Sequence, residues 1–372
     1  MRISILAAAL VGCTTALLVQ PPALAASADS ASVSTPAPRT SAGGGSVTSL
    51  PLTSGQPLTP RTTHPFELLG VVWDGAQNAL DGGTVRVRTR DAATGRWSDW
   101  RRLEVGAVDG PDTAPHGGTT PLWVGRSDGV AVDVHPGPAG LPHGLRVELV
   151  DPGEGAASDD AQSLPASPAA PAVPRPGIVT RAGWGADESI REPGFDYTGP
   201  VRVVFVHHTA TATDYACSDA PRVIRSIYQY HVQSNGWRDI GYNFLVDRCG
   251  TIYEGRAGGV DQPVHGAHTL GFNTDSSGVA AIGTYNSDAP PQTMLDGLAK
   301  ISAWKLGLTG RAADGHAQLT SGSDSSRYPK GTVVDFNTVS GHRDGVATEC
   351  PGAALYAKLP EIRSTAVRIQ NS

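Results

Sequence analysis

The chain has 372 residues, of which 39% are hydrophobic and 17% are charged, and its formal net charge is -6 at pH 7. This length allows two domains with connecting segments. A net negative charge offers no basic surplus for a polyanion, so we expect no nucleic-acid partner.

The first 25 residues have the organisation of a secretory signal peptide. Arg2 supplies a short positive segment, residues 5–19 are mostly apolar, and residues 23–25 (Ala-Leu-Ala) match a signal peptidase site. We place cleavage after this triplet and expect a secreted, extracellular protein. The alternative is a lipoprotein, because Leu-Val-Gly before Cys13 resembles a lipobox. No later stretch is long and apolar enough to span a bilayer, so we expect no stable membrane insertion.

Two segments of contrasting composition follow. Residues 26–61 are rich in Ala, Ser, Thr, Pro and Gly, which predicts a disordered spacer because so little apolar surface can be buried. Residues 62–151 contain short alternating segments between Gly and Pro turns, which predicts a small all-β, sandwich-like domain of unknown role. We interpret Trp97 and Trp100 as core and cross-strand packing, with a sugar-stacking platform as the alternative.

The C-terminal half carries a different pattern. Residues 152–176 form a Pro/Ala-rich stretch, which we predict to be a linker. In residues 177–370, apolar strands alternate with amphipathic helices, which predicts an α/β domain with a mixed β-sheet flanked by helices. Residues 203–206 are a continuous apolar run typical of a buried strand. Residues 309–332 are polar and Gly-rich, and we predict an excursion from the compact body.

The cysteine count is informative in an exported protein. The chain has 4 Cys, and removal of the signal peptide leaves Cys217, Cys249 and Cys350. An odd number outside the cell suggests one disulfide and one thiol with another role. Cys217 precedes a predicted helix and Cys249 lies in a predicted hairpin turn, so we expect these two to form the disulfide.

The remaining thiol lies close in sequence to a histidine. His342 and Cys350 are eight positions apart, and His207 ends the apolar strand upstream, with His208 on the opposite face of that strand. Two imidazoles and one thiolate favour zinc with a fourth position open, as in catalytic sites. The alternatives are structural histidines beside an idle buried thiol, or a thiol nucleophile with a histidine base.

Five sequence motifs occur in a fixed order along the chain, and together they make a resemblance to a known family specific. Together they resemble the peptidoglycan recognition protein / type 2 N-acetylmuramoyl-L-alanine amidase family, which includes phage T7 lysozyme, over about residues 177–365. The motifs are Val-His-His-Thr-Ala at 206–210, Gly-Trp-Arg-Asp-Ile-Gly-Tyr-Asn-Phe at 236–244, Tyr-Glu-Gly-Arg at 253–256, Gly-Ala-His at 266–268, and Gly-His-Arg-Asp at 341–344 with Thr-Glu-Cys-Pro-Gly at 348–352.

The resemblance implies hydrolysis of the amide bond between N-acetylmuramic acid and L-alanine in peptidoglycan. It places ligands for Zn²⁺ on His207, His342 and Cys350, and a catalytic tyrosine on Tyr242. Peptidoglycan is thus the expected partner, the cell wall the expected location, and a monomer the expected state. One alternative is a non-catalytic peptidoglycan-binding protein, although such members usually lack the cysteine. The other is a zinc peptidase, although no His-Glu-x-x-His motif occurs.

Further site residues follow from the resemblance alone. Thr348, the second residue predicted to be catalytic, falls where phage-type members carry lysine, and its hydroxyl can hydrogen-bond a developing oxyanion. His268 and Asn273 match substrate-groove positions. The general base is left unassigned, with Glu254 and His265 as neighbours in sequence only.

Overall fold

The structure is a computed structural model of the chain. The predicted signal peptide and Cys13 lie outside the residues that it describes. Those residues are 39–40, 44–52, 57–75, 77–105, 110–111, 114–155, 163–164 and 173–372.

The N-terminal domain is an antiparallel β-sheet, which confirms the predicted all-β class. Its strands lie in the order β1-β2-β8-β3-β7-β4-β5, and β6 pairs with β3. They are β1 Arg39–Thr40, β2 Ser46–Pro51, β3 Leu58–Asp74, β4 Thr84–Asp91, β5 Arg101–Leu103, β6 His116–Gly118, β7 Leu122–His135 and β8 Arg146–Asp151.

Three strands lie wholly or partly in the stretch predicted as a spacer, and the shortest of them is β1. β2 pairs with β8 from Ser46 to Pro51, and β3 begins at Leu58. In β2 the side chains of Val47 and Leu50 are buried. The structure therefore differs from the predicted spacer here, because strand formation depends on a partner about 100 residues away rather than on local composition.

Of the two tryptophans predicted to pack in the core or across strands, Trp97 is half-buried and bridges Arg90 of β4, whereas Trp100 differs from the expectation. The Arg88 guanidinium lies 5.3 Å from the ring centroid of Trp97 and 5.1 Å from that of Trp100. Trp100 remains 41% exposed. It therefore belongs to a surface cation–π stack rather than to the hydrophobic core.

The C-terminal domain is a mixed sheet flanked by helices, as predicted. Its main sheet has the order β17-β11-β14-β12-β13-β10-β9, and β15 and β16 form a separate hairpin. The strands are β9 Ser163–Leu164, β10 Ile178–Val179, β11 Val203–His208, β12 Phe244–Val246, β13 Ile252–Glu254, β14 Ser276–Ala281, β15 His316–Thr320, β16 Val333–Asn337 and β17 Val339–Gly341. The α-helices are α1 Ala220–Gln229, α2 Gln292–Gly307, α3 His342–Gly345, α4 Ala353–Tyr356 and α5 Leu359–Gln370.

Strand alternation distributes the core over both faces of this sheet. Val204 and Val206 of β11 contact the cluster that includes α2 and α5, whereas Val203 and Phe205 point to the opposite face.

The structure differs from two further predictions. β15 lies within the stretch predicted to be an excursion from the compact body, and β9 lies within the stretch predicted to be a linker. Among the described residues, no helix combines the length and apolar character needed to cross a membrane.

The two domains share a hydrophobic cluster. Leu68 and Trp123 of the N-terminal sheet pack in the same cluster as Ile227 of α1. The Tyr230 hydroxyl, just after α1, donates a 3.0 Å hydrogen bond to the Thr119 carbonyl. Because this junction is apolar and buried, the N-terminal sheet has a defined place against the helix that follows β11.

The predicted disulfide is confirmed, and its removal is the first testable change. Cys217 and Cys249 are bonded across a sequence separation of 32 residues. Because the bond restricts the unfolded chain, we expect the double Ala variant to lose about 3–4 kcal/mol of unfolding free energy. Guanidinium denaturation measures this loss. A reductant should destabilise the wild type and leave the variant unchanged; equal stability of both proteins would contradict the prediction.

Candidate metal centre

Two parallel strands end side by side at the centre of the candidate site. β11 and β17 are paired with Val206 opposite Gly341. His207 therefore lies beside His342, the first residue of α3, and their ring centroids are 4.4 Å apart. The carboxyl ends of parallel strands are a common place for functional groups in α/β sheets.

Local contacts hold the start of α3. The Asp344 carboxylate accepts a 2.8 Å hydrogen bond from the Gly341 amide and a 2.6 Å hydrogen bond from the Tyr356 hydroxyl. A Cβ at Gly341 would lie 2.7 Å from the Tyr356 ring, so glycine is required for this close approach. The turn thereby directs His342 inward.

Cys350 completes the cluster from the loop after α3. The Arg343 amide donates a 3.0 Å hydrogen bond to the Cys350 carbonyl. The His208 amide donates to Cys350 Sγ at 3.3 Å, and Sγ lies 3.9 Å from His207 Nδ1. One donor atom from each of His207, His342 and Cys350 lies within 4.8 Å of the others, and all three residues are buried.

The donor set fits zinc. Burial lowers the pKa of His207 to about 3, so the ring is neutral and keeps a lone pair for a metal. Two imidazole nitrogens and one sulfur favour zinc over oxygen-seeking cations such as Mg²⁺ or Ca²⁺. Three protein donors leave one tetrahedral position for water or substrate, as in catalytic zinc sites.

The second histidine of the strand faces away from this cluster. His208 Nδ1 accepts a 3.3 Å hydrogen bond from the Tyr285 amide. By contrast, the His207 ring lies near the rings of Tyr242, His268 and His342. The opposite placement follows from strand alternation.

The two residues predicted to be catalytic contact different members of the cluster. The Tyr242 ring is buried, with its centroid 5.4 Å from the His207 ring and 5.8 Å from the His231 ring. The half-buried Thr348 hydroxyl accepts a 3.2 Å hydrogen bond from the Cys350 amide. Tyr242 is thus beside a candidate ligand, while Thr348 supports the loop that carries another.

The two predicted groove residues are buried and hydrogen-bonded within the domain. His268 is 0% exposed and Asn273 is 1% exposed. Asn273 Oδ1 accepts hydrogen bonds from the amides of His268 at 2.8 Å and Thr269 at 2.9 Å. The Thr269 hydroxyl lies 3.3 Å from His207 Nε2. Sequence reasoning missed Thr269, and its position directly after the Gly-Ala-His motif was the available signal.

The two neighbours considered as general base lie apart from the donor cluster. Glu254 Oε2 accepts a 3.2 Å hydrogen bond from the Arg181 amide, and burial raises the pKa of the Glu254 carboxyl. His265 lines a cavity of about 280 Å³ together with Arg238 and Arg256. Neither residue belongs to the buried group of candidate metal ligands.

Buried histidines give the metal-free protein a defined pH response. Burial holds the pKa of His268 well below 6.5 and lowers the pKa values of His207 and His231 to about 3. Below pH 6.5 the unfolded chain therefore binds protons that the folded chain excludes. The stability contributed by these neutral rings should be fully present above pH 6.5 and should fall as the pH decreases toward 3.

Chemical denaturation across this pH range measures the effect. His231→Gln should make the decline in unfolding free energy with decreasing pH shallower, whatever its effect on absolute stability. His135→Gln, at a side chain 60% exposed, is the matched control and should leave the slope unchanged. An unchanged slope in the His231 variant would contradict the role assigned to burial.

Comparisons with known proteins agree with this architecture. Residues 22–172 match the family described as Rv3811 N-terminal galactose-binding domain-like, and residues 197–353 match N-acetylmuramoyl-L-alanine amidase. A peptidoglycan recognition protein of Trichoplusia ni is 33% identical over 187 residues, covering 49% of this chain and 85% of that protein. The Homo sapiens N-acetylmuramoyl-L-alanine amidase is 32% identical over 186 residues, 49% of this chain but 27% of that longer protein.

A solved structure of similar sequence is that of wild-type Drosophila PGRP-LB. Its identity is 29%, its TM-score is 0.38, and the match covers 49% of this chain and 91% of that chain. The sequence matches define the C-terminal half as an amidase-class α/β domain, here joined to an antiparallel β domain. The chain belongs to the peptidoglycan recognition protein / N-acetylmuramoyl-L-alanine amidase family, as the five motifs indicated.

Proposed function

We propose that the protein is a zinc-dependent N-acetylmuramoyl-L-alanine amidase acting on peptidoglycan. The observation that carries this proposal is the buried group of His207, His342 and Cys350, whose donor atoms lie within 4.8 Å of one another. A protein that only bound the polymer would have no need of a three-donor metal site with an open position.

The reaction consumes one water molecule and breaks the amide C–N bond. The products are the lactyl carboxylate on the muramic acid and a free amine on L-alanine. His207, His342 and Cys350 would hold Zn²⁺, which when bound supplies a Lewis acid that polarises the scissile carbonyl and activates water. The Tyr242 hydroxyl would donate a hydrogen bond to the oxygen that develops negative charge. The Thr348 hydroxyl would keep the Cys350 loop in position.

The second candidate is peptidoglycan recognition without cleavage. It is favoured by the description of the Trichoplusia ni relative as a recognition protein. The enzyme is preferred because the thiol and both histidines are present together in one buried cluster. We further propose that the chain is exported and acts in the cell wall, since residues 1–25 match a signal peptide, and that it acts as a monomer.

Mass spectrometry of digested cell wall tests the proposal. Purified protein incubated with peptidoglycan should release intact stem peptides that carry a free N-terminal L-alanine. Products cut between stem residues would identify a peptidase instead. Binding to peptidoglycan without any released peptide, in protein shown to contain zinc, would identify the recognition function. Activity that persists after complete removal of metal would rule out the zinc mechanism.

A further inference from the structure

The Thr269 hydroxyl bridges two buried imidazole rings. Its Oγ1 lies 3.3 Å from His207 Nε2 and 2.9 Å from His268 Nδ1. Thr269 and both histidines are buried. A hydroxyl has one proton to donate and lone pairs with which to accept, so it can join a donor on one side to an acceptor on the other.

The orientation of His207 decides the direction of these hydrogen bonds. Its Nδ1 faces Cys350 Sγ at 3.9 Å, on the side of the candidate metal ligands. A metal-binding Nδ1 carries no proton, so the proton of the neutral ring is on Nε2. That N–H then donates to Thr269 Oγ1, and the Thr269 hydroxyl donates to His268 Nδ1. The direction of both hydrogen bonds is then fixed, and the proton of the neutral His268 ring lies on Nε2.

Asn273 holds the backbone that carries Thr269. Its Oδ1 accepts from the amides of both His268 and Thr269, and its Nδ2 donates a 3.0 Å hydrogen bond to the Gly110 carbonyl. Three of the four hydrogen-bonding positions of this amide side chain are therefore used inside the protein. This arrangement suits a support for the Thr269 backbone better than a substrate contact.

Gly110 brings the N-terminal domain into this arrangement. It is buried and its φ is +149°, and a Cβ there would lie 3.0 Å from the Trp237 ring. The backbone can thus approach the Trp237 ring this closely only because no side chain intervenes. Gly110 is thereby linked to the candidate ligand His207 through Asn273 and then through Thr269, whose amide bonds to Asn273 and whose hydroxyl lies beside His207.

We propose that Thr269 is a positioning residue that sets the tautomer and ring orientation of His207 for metal binding, and that Asn273 and the Gly110 carbonyl hold Thr269 in place. The inference rests on the proposed function for its metal, but the hydrogen-bond chain exists in the protein without it. Hydrogen bonds of this kind to ligand histidines typically change metal affinity about 10–100-fold when they are lost. The N-terminal domain is thereby part of the support of the metal site.

The experiment compares Thr269→Val with Thr269→Ser in the full chain. Valine has nearly the same shape but no hydroxyl, whereas serine restores the hydroxyl. Thr338→Val is the matched control, because Thr338 is also a buried threonine of this domain and donates a 2.7 Å hydrogen bond to the Ala312 carbonyl. The readouts are Zn²⁺ affinity by chelator competition and the ¹⁵N chemical shifts of His207 in the metal-free protein.

Thr269→Val should weaken Zn²⁺ binding by about 10–100-fold and should convert the single Nε2–H tautomer of His207 to a mixture. Thr269→Ser and Thr338→Val should match the wild type, and Asn273→Ala should shift both readouts in the direction of Thr269→Val. Unchanged affinity and tautomer in folded Thr269→Val would overturn the inference and leave the amidase proposal intact. A wild type that binds no Zn²⁺ would refute the amidase mechanism, while the tautomer measurement would still decide the role of Thr269.

Discussion

Replacing Cys350 by alanine should abolish release of stem peptides while the protein remains folded. The thiol is one of three donors within 4.8 Å of one another, and its loss leaves two imidazoles that cannot hold zinc tightly. Without the metal, polarisation of the carbonyl and activation of water are both lost, so we expect a decrease in kcat/KM of at least about 1,000-fold. Quantification of free N-terminal L-alanine by mass spectrometry measures the loss.

Two further variants test whether a loss of activity comes from the loss of a metal ligand rather than from unfolding. His342→Ala should give the same loss of activity, since it removes another donor of the cluster. His316→Ala should leave activity unchanged, because His316 lies on the surface hairpin, where it pairs with Asp335 at 3.0 Å. Circular dichroism and thermal unfolding should show that the inactive variants are folded. A folded Cys350→Ala protein with wild-type activity would exclude a zinc amidase.

Tyr242→Phe should lower kcat by about 100- to 1,000-fold with little change in KM, the size expected for loss of one donor to a developing oxyanion. The variant keeps the ring, so the contacts of Tyr242 with His207 and His231 are preserved. Zinc content should therefore equal that of the wild type. Steady-state hydrolysis of a soluble muramyl peptide, with zinc measured in the same samples, gives both quantities.

A matched tyrosine tests whether this effect is specific. The Tyr197 hydroxyl donates a 3.0 Å hydrogen bond to the Gly258 carbonyl, and the side chain is 51% exposed. Tyr197→Phe also removes one tyrosine hydroxyl from the C-terminal domain, and it should leave kcat unchanged. If Tyr242→Phe raised KM at constant kcat instead, Tyr242 would be a substrate-binding residue without a role in the chemical step.

Much of this protein could be predicted from local sequence. The mixed sheet with flanking helices follows from the alternation of apolar runs with helical periodicity, and the Cys217–Cys249 disulfide follows from cysteine count and element ends. His207 could be singled out because it ends a continuous apolar strand. These features depend on residues close together in the chain, where side-chain period and turn chemistry decide the outcome.

Other features depend on partners distant in sequence. β2 forms within a Ser/Thr-rich stretch because β8 supplies its hydrogen bonds, and β15 forms because β16 returns beside it. Composition cannot report such pairing, since strand stability depends largely on cross-strand neighbours. The predictions of a spacer and of an excursion failed at these strands for that reason.

The sequence by itself determined which residues are the candidates for the proposed chemistry: two histidines, one thiol and a tyrosine in motifs of recognisable order. Only the tertiary structure decided how they meet, because the parallel register of β11 and β17 places His207 beside His342. The tertiary structure also placed Asn273 between Gly110 and the Thr269 backbone, across 163 residues of sequence separation. The physical reason is that hydrogen-bond partners and burial are properties of the packed chain, whereas residue type and spacing are properties of the sequence.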